Sequence, residues 1–258
     1  MGISKPYYRI ARPKAYIPNY VTDHRYASDR LQLSRAYINI EKELRLIFNY
    51  IEPSEANKDV FSFELYSLLL RACTEVELNC KEIMVANGAR PQGCHFTMTD
   101  YVKLEKSSLL SKYIVTYDNW RQKNSNTQEM EYVKKEFRPF SSFAQTISKA
   151  PAWYSAYNEV KHNREEKLEN ANLENCMNAV AGILVLLYSQ FGANCIATYG
   201  STGVYVFDFD NDYDIQFDAN IIFEIQPPKL SDWNQSELYD FEWNNIKTLP
   251  EPFDKFTF

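Results

Sequence analysis

Apolar residues recur every three or four positions over several long stretches of the chain, which is the spacing of one face of an α-helix. The first stretch runs from Leu31 to Ile51. The second covers Val60 to Ala86 with Gly88 just beyond it, and the third covers Leu173 to Phe191 with Gly192 at its end. Glycine often follows the last helical residue because it adopts positive φ angles readily. The pattern therefore predicts three long helices that supply much of the core.

Shorter periodic stretches predict further helices between the second and the third long one. Thr99 is a suitable N-cap because its hydroxyl can accept a hydrogen bond from the first helical turn. The polar stretch that follows the Thr99 helix is predicted to be a loop. The predicted short helices are Thr99 to Leu109 or Tyr113, Glu129 to Phe137, Phe140 to Ile147, and one that starts after Pro151.

Residues 204–217 change to a period of two, in which apolar side chains alternate with aspartates. This alternation predicts a β-hairpin or short strands, joined by residues 220–226. A tail then follows that we expect to pack on the body. The predicted fold class is therefore mainly α: a helical bundle over 31–195, an extended basic and aromatic arm over 1–30, and an acidic extension over 196–258 with a small C-terminal β-hairpin or strand element.

The composition agrees with a folded, helix-rich chain. Of the 258 residues 45% are hydrophobic and only 7 are glycine, which argues against disorder of the whole chain. The N-terminal stretch lacks the apolar core of a signal peptide. The longest apolar run, Ala179 to Tyr188, is shorter than the roughly 20 residues that a bilayer requires. We expect a cytoplasmic protein that does not enter a membrane.

Neither the cysteines nor the aspartates match a metal site. The five cysteines include no CxxC pair, which indicates buried thiols in a reducing compartment. Cys94 and His95 are adjacent but have no second ligand pair at zinc-site spacing. The aspartates from Asp208 onward match the start of a calcium loop, but Tyr213 and Ala219 occupy its required Gly and Glu positions. No metal and no cofactor is expected.

The two ends of the chain carry opposite charges, although the net charge is -6. Residues 1–35 have seven Lys or Arg against two Asp, and residues 204–258 have twelve acidic residues against three lysines. Tyrosines interleave with the basic residues of the arm, a mixture that suits a phosphate backbone and stacked bases. Arg9, Arg12 and Lys14 are the candidate nucleic-acid contacts. The alternative is an arm that packs its rings on the body and its charges near the acidic tail.

The densest polar and aromatic stretch is Trp153 to Arg164, just before a strongly apolar helix. Histidine side chains serve as general acids and bases in catalysis, and His162 is the candidate for that role here. Asn158 lies four residues earlier on the same helical face, where its amide can orient a phosphate or a ribose hydroxyl. Lys161 or Arg164 can supply a cation that stabilises a phosphorane-like transition state. These groups suffice for metal-independent RNA cleavage, but they also occur on ordinary hydrated helix faces.

A polar stripe on the long helix from Val60 to Ala86 includes Arg71 and Glu75, which are four residues apart. Side chains at this spacing are neighbours on a helix surface and can form an ion pair. We expect either such a surface pair or a supporting role opposite the His162 helix.

This arrangement resembles the HEPN superfamily of all-helical bacterial and archaeal domains. It comprises a long apolar helix with an Arg/Glu stripe, a Tyr-Asn-x-x-Lys-His motif that opens a helix, and another apolar helix. The family motif is Arg, a polar residue that is often Asn, three further residues and His. When His162 is aligned with the family histidine, Asn158 matches the polar position and Tyr157 stands where the motif has Arg. The resemblance covers roughly residues 31–195.

The resemblance implies a homodimer in which the Arg and His of two subunits converge at a cleft that takes RNA. The expected function is RNA cleavage or processing in bacterial defence or stress, with His162 as acid or base, Asn158 as the orienting group, and Lys161 or Arg164 as the cation. Because Tyr157 replaces the arginine of the motif, the alternative is a catalytically inactive HEPN-like module that binds a protein or nucleic-acid partner, for example in a toxin system.

Overall fold

The computed structural model of the protein describes residues 2–13, 19–145, 149–198, 201–202, 206–208, 213–215 and 222–258, with the backbone alone between 197 and 221. The described α-helices are α1 (Arg30–Ile47), α2 (Phe63–Ala86), α3 (Met98–Tyr101), α4 (Glu105–Ser108), α5 (Ala152–His162), α6 (Arg164–Lys167), α7 (Leu173–Phe191) and α8 (Trp243–Ile246). The described strands are β1 (Ile114–Lys123), β2 (Met130–Phe137), β3 (Ala197–Thr198), β4 (Ser201–Thr202), β5 (Val206–Asp208), β6 (Tyr213–Ile215) and β7 (Glu224–Gln226).

Helix α7 lies at the centre and packs against α1, α2 and α5. The side-chain amide oxygen of Asn172 caps its first turn by accepting a hydrogen bond from the Asn175 N–H at 3.0 Å. At the other end Gly192 has a φ of 55°, which a residue without a Cβ adopts at low cost. Apolar side chains surround the helix and are buried on every side, so neighbouring elements must cover it all round.

The three long helices predicted from periodicity are present, at Arg30–Ile47, Phe63–Ala86 and Leu173–Phe191. The apolar face predicted for α2 is fully buried, because its six residues are inaccessible to solvent: Leu65, Leu69, Cys73, Val76, Cys80 and Ile83. Helices α2 and α7 run in the same direction, since Leu65 contacts Cys176 and Asn79 contacts Gln190. Helix α5 runs opposite to α2, since Tyr154 contacts Glu77 while Arg164 lies over Phe63.

The predicted fold class, a helical bundle with only a small C-terminal β element, is wrong, because a sheet lies in the middle of the chain. Strands β1 and β2 form a long antiparallel hairpin where the sequence predicted a loop and a helix. Strand β7 pairs with the other edge of β1, and the described sheet has the order β2-β1-β7-β5-β6. The C-terminal strands thus extend a central sheet, and the class is mixed α and β.

Strand β2 replaces the helix predicted over Glu129 to Phe137, and its burial pattern gives the reason. Its residues alternate between exposed and half-buried positions until Phe137 is buried, which is the period of a strand. Four of its eight residues are charged, so apolar spacing alone does not show the alternation. On the inner face the ring of Trp120 lies 6.4 Å from that of Phe137 and 4.9 Å from the ammonium nitrogen of Lys135. The Lys135 side chain, including its ammonium group, therefore packs against the side of the sheet that faces the core.

The helix predicted from Thr99 is present as a continuous helical run over 98–108, in which a 3-10 turn at Val102–Leu104 joins α3 to α4. It begins with a capping box in which the Thr97 N–H donates to Asp100 at 3.1 Å. It ends before Leu109, whose φ is 48°, and a separate 3-10 turn follows at Leu110–Lys112. Ser141–Ala144 forms a 3-10 turn where a helix over 140–147 was predicted. Asp210, Asp212 and Ala219 of the calcium-loop comparison lie outside the described residues.

The N-terminal arm runs beside the C-terminal tail. The Ile3 N–H donates to the Leu238 carbonyl at 2.8 Å, and the Asp240 N–H donates back to the Ile3 carbonyl at 2.8 Å. The rings of Tyr20 and Tyr239 meet edge to face at 5.8 Å. Further ring contacts connect the same two segments and join them to the main core. The aromatic side chains of the N-terminal arm and of the C-terminal tail therefore form one layer.

One helix within the described ranges, Leu173–Asn194, is long and apolar enough to span a membrane by length and composition. Protein covers 89% of its most apolar window. This is the central helix of the core, so its apolar surface is already covered by the fold.

We predict that Leu184→Ala in α7 lowers the free energy of unfolding by about 2–5 kcal/mol, because it removes a buried side chain and leaves a cavity. Leu184 is inaccessible to solvent, whereas Leu46 on α1 is 60% exposed. Leu46→Ala is the matched control and should change stability by no more than about 0.5 kcal/mol. Urea unfolding followed by circular dichroism measures both, and equal effects of the two substitutions would contradict the central position of α7.

Candidate functional site

Helix α5 presents two different faces. The Pro151 carbonyl accepts hydrogen bonds from the N–H groups of Tyr154 and Ser155 at 3.0 Å and so begins the helix. The inner face buries Trp153, whose indole N–H donates to the Pro139 carbonyl at 2.8 Å. The helix ends at His162, and the chain turns into α6 after it. The dense segment of the sequence therefore splits into a packed aromatic face and a solvent-facing polar face.

A row of polar groups connects α5 to α2. The Tyr154 hydroxyl donates to Glu77 Oε1 at 2.6 Å, and Lys161 Nζ donates to the Tyr157 hydroxyl at 2.9 Å. The rings of Tyr154 and Tyr157 lie 5.4 Å apart. Lys161 Nζ also lies 4.9 Å from the centre of the Tyr157 ring, a distance at which a cation is attracted to an aromatic face.

Burial sets the protonation of this row. Burial raises the pKa of Tyr154, and its hydrogen bond to Glu77 raises it further. Burial also raises the pKa of Tyr157, against the opposing effect of Lys161. The bond to Tyr157 raises the pKa of Lys161. At neutral pH both phenols are therefore neutral and Lys161 is charged, so the two tyrosines link α5 to α2 and neither serves as a base.

The outward face carries the other predicted catalytic groups. Asn158 is half-buried, and His162 and Arg164 are exposed. The Arg164 guanidinium lies 5.7 Å from the ring of Phe63 and 5.5 Å from the ring of Tyr66, both on α2. The structure thus keeps Asn158 and His162 on one face, one helical turn apart. Lys161 is bonded to Tyr157, and Arg164 is stacked on α2.

Arg71 and Glu75 do not support this face. The Arg71 guanidinium forms an ion pair with Glu43 on α1. Glu75 is half-buried, and burial raises the pKa of its carboxyl although Arg71 lowers it. Glu75 also lines a cleft between α1 and α2 with Arg9 at its edge. Both residues therefore belong to the α1 side of α2, whereas α5 packs on another side.

Glu77 was missed by the sequence reasoning, although a signal was present. It lies four residues after Cys73 and three before Cys80, both of which are fully buried. A carboxylate at that spacing falls on the apolar side of a helix, where a charged group requires a partner. Tyr154 of α5 is that partner.

The arm does not present its arginines to solvent. Arg9 and Arg12 are each 6% exposed. Arg9 forms an ion pair with Asp29. Arg12 donates to the carbonyl of Glu237 at 2.7 Å and to that of Ser107 at 3.2 Å. Both guanidiniums are bonded within the protein, so they are not available as the nucleic-acid contacts that the sequence predicted. Lys14, the third predicted contact, lies outside the described residues.

Among the residues that the structure describes, no cluster of three or more His, Cys, Asp or Glu side chains could hold a metal ion. Four of the five cysteines are buried. Burial raises the pKa of the Cys73 thiol and of the Cys80 thiol. These thiols are therefore protonated and poorly nucleophilic at neutral pH.

Comparisons with protein-family models, curated proteins and solved structures found no match for the chain. The HEPN resemblance therefore remains a prediction that rests on the motif residues and their spacing.

We predict that Glu77→Ala lowers the free energy of unfolding by about 1–2 kcal/mol, because the Tyr154 hydroxyl loses its acceptor. In the Tyr154→Phe background the same substitution should have a smaller effect, since the hydroxyl is already gone. Lys81→Ala, at an exposed position of the same helix, is the control. Urea unfolding of the four variants of the double-mutant cycle gives the coupling energy, and a value near zero would show that the Tyr154–Glu77 bond contributes nothing.

Proposed function

We propose that the chain is a HEPN-like module that binds a macromolecular partner and does not cleave RNA. The observation that carries this proposal is the state of Tyr157, which stands at the arginine position of the family motif. Tyr157 is 2% exposed, and its hydroxyl accepts a hydrogen bond from Lys161. Cleavage requires a cation at the reacting phosphate. The motif position offers a buried neutral phenol instead, which favours binding over catalysis.

The neighbouring cations support the same conclusion. Lys161 is held by the Tyr157 hydroxyl and ring. Arg164 is held over the rings of Phe63 and Tyr66. Moving either cation to a phosphate beside His162 would require breaking these contacts.

We further propose that two copies of the chain associate through the end of α5 and α6. Three apolar side chains at or just before the start of α2 are exposed next to this end: Val60 at 37%, Phe61 at 48% and Phe63 at 61%. Helix α6 is a short Arg-Glu-Glu-Lys sequence with both signs of charge. A twofold interface pairs a surface with itself, so a patch that carries both signs can place each charge opposite its complement. We propose that such a dimer acts in the cytoplasm, as the composition of the sequence predicts, and in a bacterial defence or stress system, as the resemblance implies.

RNA cleavage remains the second candidate, and one observation favours it. Asn158 and His162 lie one turn apart on the outward face of α5, and His162 is open to solvent. A twofold partner at this end would bring a second pair of these side chains close to the first.

Incubation of the purified chain with single-stranded and duplex RNA in the presence of EDTA tests the absence of cleavage. We expect intact RNA on denaturing gels, because the motif position lacks an available cation. His162→Ala, purified in the same way, serves as the control for contaminating nuclease. Cleavage by the natural chain that disappears in this variant would contradict the proposed function and support the second candidate.

Light scattering after size exclusion tests the dimer. We expect a mass of about twice 30.3 kDa for the natural chain and a shift toward the single-chain mass for Phe63→Ser, because the substitution removes an exposed ring from the interface. Tyr50 is 89% exposed in the segment after α1, and Tyr50→Ser should leave the mass unchanged. A single-chain mass for the natural protein at every concentration would refute the dimer.

A further inference from the structure

The hairpin of β1 and β2 has an outward face that differs from the rest of the surface. Its register pairs Arg121 with Tyr132 and Lys123 with Met130. Tyr132 is 64% exposed and Met130 is 51% exposed. Arg121 and Lys123 are exposed as well. Two cations therefore stand directly across the strand pair from an exposed ring and an exposed thioether.

These two cations differ from the nearby lysines. Lys134, on the same strand as Tyr132, is already paired with Asp118 at 3.3 Å and Glu224 at 3.0 Å. Within the described ranges, neither Arg121 nor Lys123 takes part in an ion pair. The Tyr132 hydroxyl on this face donates a hydrogen bond to Glu52 Oε1 at 3.3 Å.

The hairpin is also firmly anchored, so the face is presented in a fixed geometry. On the opposite side Trp120 is fully buried and pairs in register with Val133. The Arg121 N–H donates to the Pro53 carbonyl at 2.9 Å, and the Arg121 carbonyl accepts from the Glu55 N–H at 3.0 Å. The backbone beneath the exposed face is therefore bonded on both sides of β1.

We propose that this face, defined by Arg121, Lys123, Met130 and Tyr132, binds single-stranded RNA. An exposed tyrosine ring can stack on a base, whatever the base is. Two residues that are two positions apart on a strand are separated by about 6.7 Å, so Arg121 and Lys123 can contact successive phosphates of an extended strand. A duplex hides its base faces by stacking and pairing, so it cannot use Tyr132 in this way.

This inference rests on the proposed binding function and names its partner class. The proposed nucleic-acid contact therefore lies on the β1–β2 hairpin and not on the arm, where Arg9 and Arg12 are buried. The face is separate from the α5 motif, so binding here does not require His162.

Fluorescence anisotropy with a short labelled oligouridylate RNA tests the proposal on the full chain. We expect Tyr132→Ala to weaken binding about tenfold or more through lost stacking, while Tyr132→Phe, which keeps the ring, binds as the natural chain does. Arg121→Gln and Lys123→Gln should each reduce the slope of log affinity against log salt by about 0.7, the value for one phosphate contact on a single strand. Arg35→Gln, at an exposed arginine of α1, is the matched charge control and should change neither quantity.

All substituted side chains point to solvent, and thermal unfolding verifies that each variant is folded. Three results would overturn the proposal: no RNA binding by the full chain at low salt, equal binding of Tyr132→Ala and the natural chain, or equal competition by duplex RNA. Denaturing gels of the same samples report cleavage separately. Cut RNA would therefore contradict the proposed function, whereas unchanged anisotropy in the variants would contradict only this inference.

Discussion

The burial of α7 on all sides is the constraint on which the rest of the structure depends. A helix that is apolar around its whole circumference is stable in water only when other elements cover it, and α1, α2 and α5 do so. Its one large buried polar side chain, Gln190, donates to Asn79 on α2 at 2.8 Å and accepts from Arg9 of the arm at 3.2 Å. This amide sets the register of α2 on α7 and fixes the arm to the core, because an unpaired buried amide is costly.

The same packing decides what the conspicuous α5 segment can do. To cover α2 and α7, α5 turns Trp153, Tyr154 and Tyr157 inward. The aromatic half of the segment is thereby used for packing, and Lys161 is drawn to the Tyr157 hydroxyl. Only the Asn158 and His162 side of the motif stays open. The same twelve residues therefore provide both the side chains that pack against the core and the polar groups of the motif.

The opposite charges of the two chain ends meet mostly through backbone groups. Arg12 donates to the Glu237 carbonyl, and Arg25 donates to the carbonyls of Lys247 and Leu249. Lys5 donates to the Glu251 carbonyl. The arm cations thus stabilise an irregular tail by satisfying its carbonyls, which a segment without regular structure cannot do for itself. This use of the arm leaves its rings in the aromatic layer and buries Arg9 and Arg12.

The sequence by itself determined the long helices and their buried faces, because a period near 3.6 in apolar residues depends only on local geometry. It also identified Asn158 and His162 as neighbours on one helix face. Only the tertiary structure decided the β1–β2 hairpin, whose inner face is defined by Trp120 and Phe137 and whose other edge is completed by β7 about a hundred residues later. The tertiary structure alone decided that Lys161 donates a hydrogen bond to Tyr157, that Tyr154 donates one to Glu77, and that Arg9 and Arg12 of the arm are buried. Apart from the bond between Tyr157 and Lys161, which are four residues apart on one helix, these contacts join residues that are far apart in the chain. Local periodicity carries no information about which distant surfaces pack together.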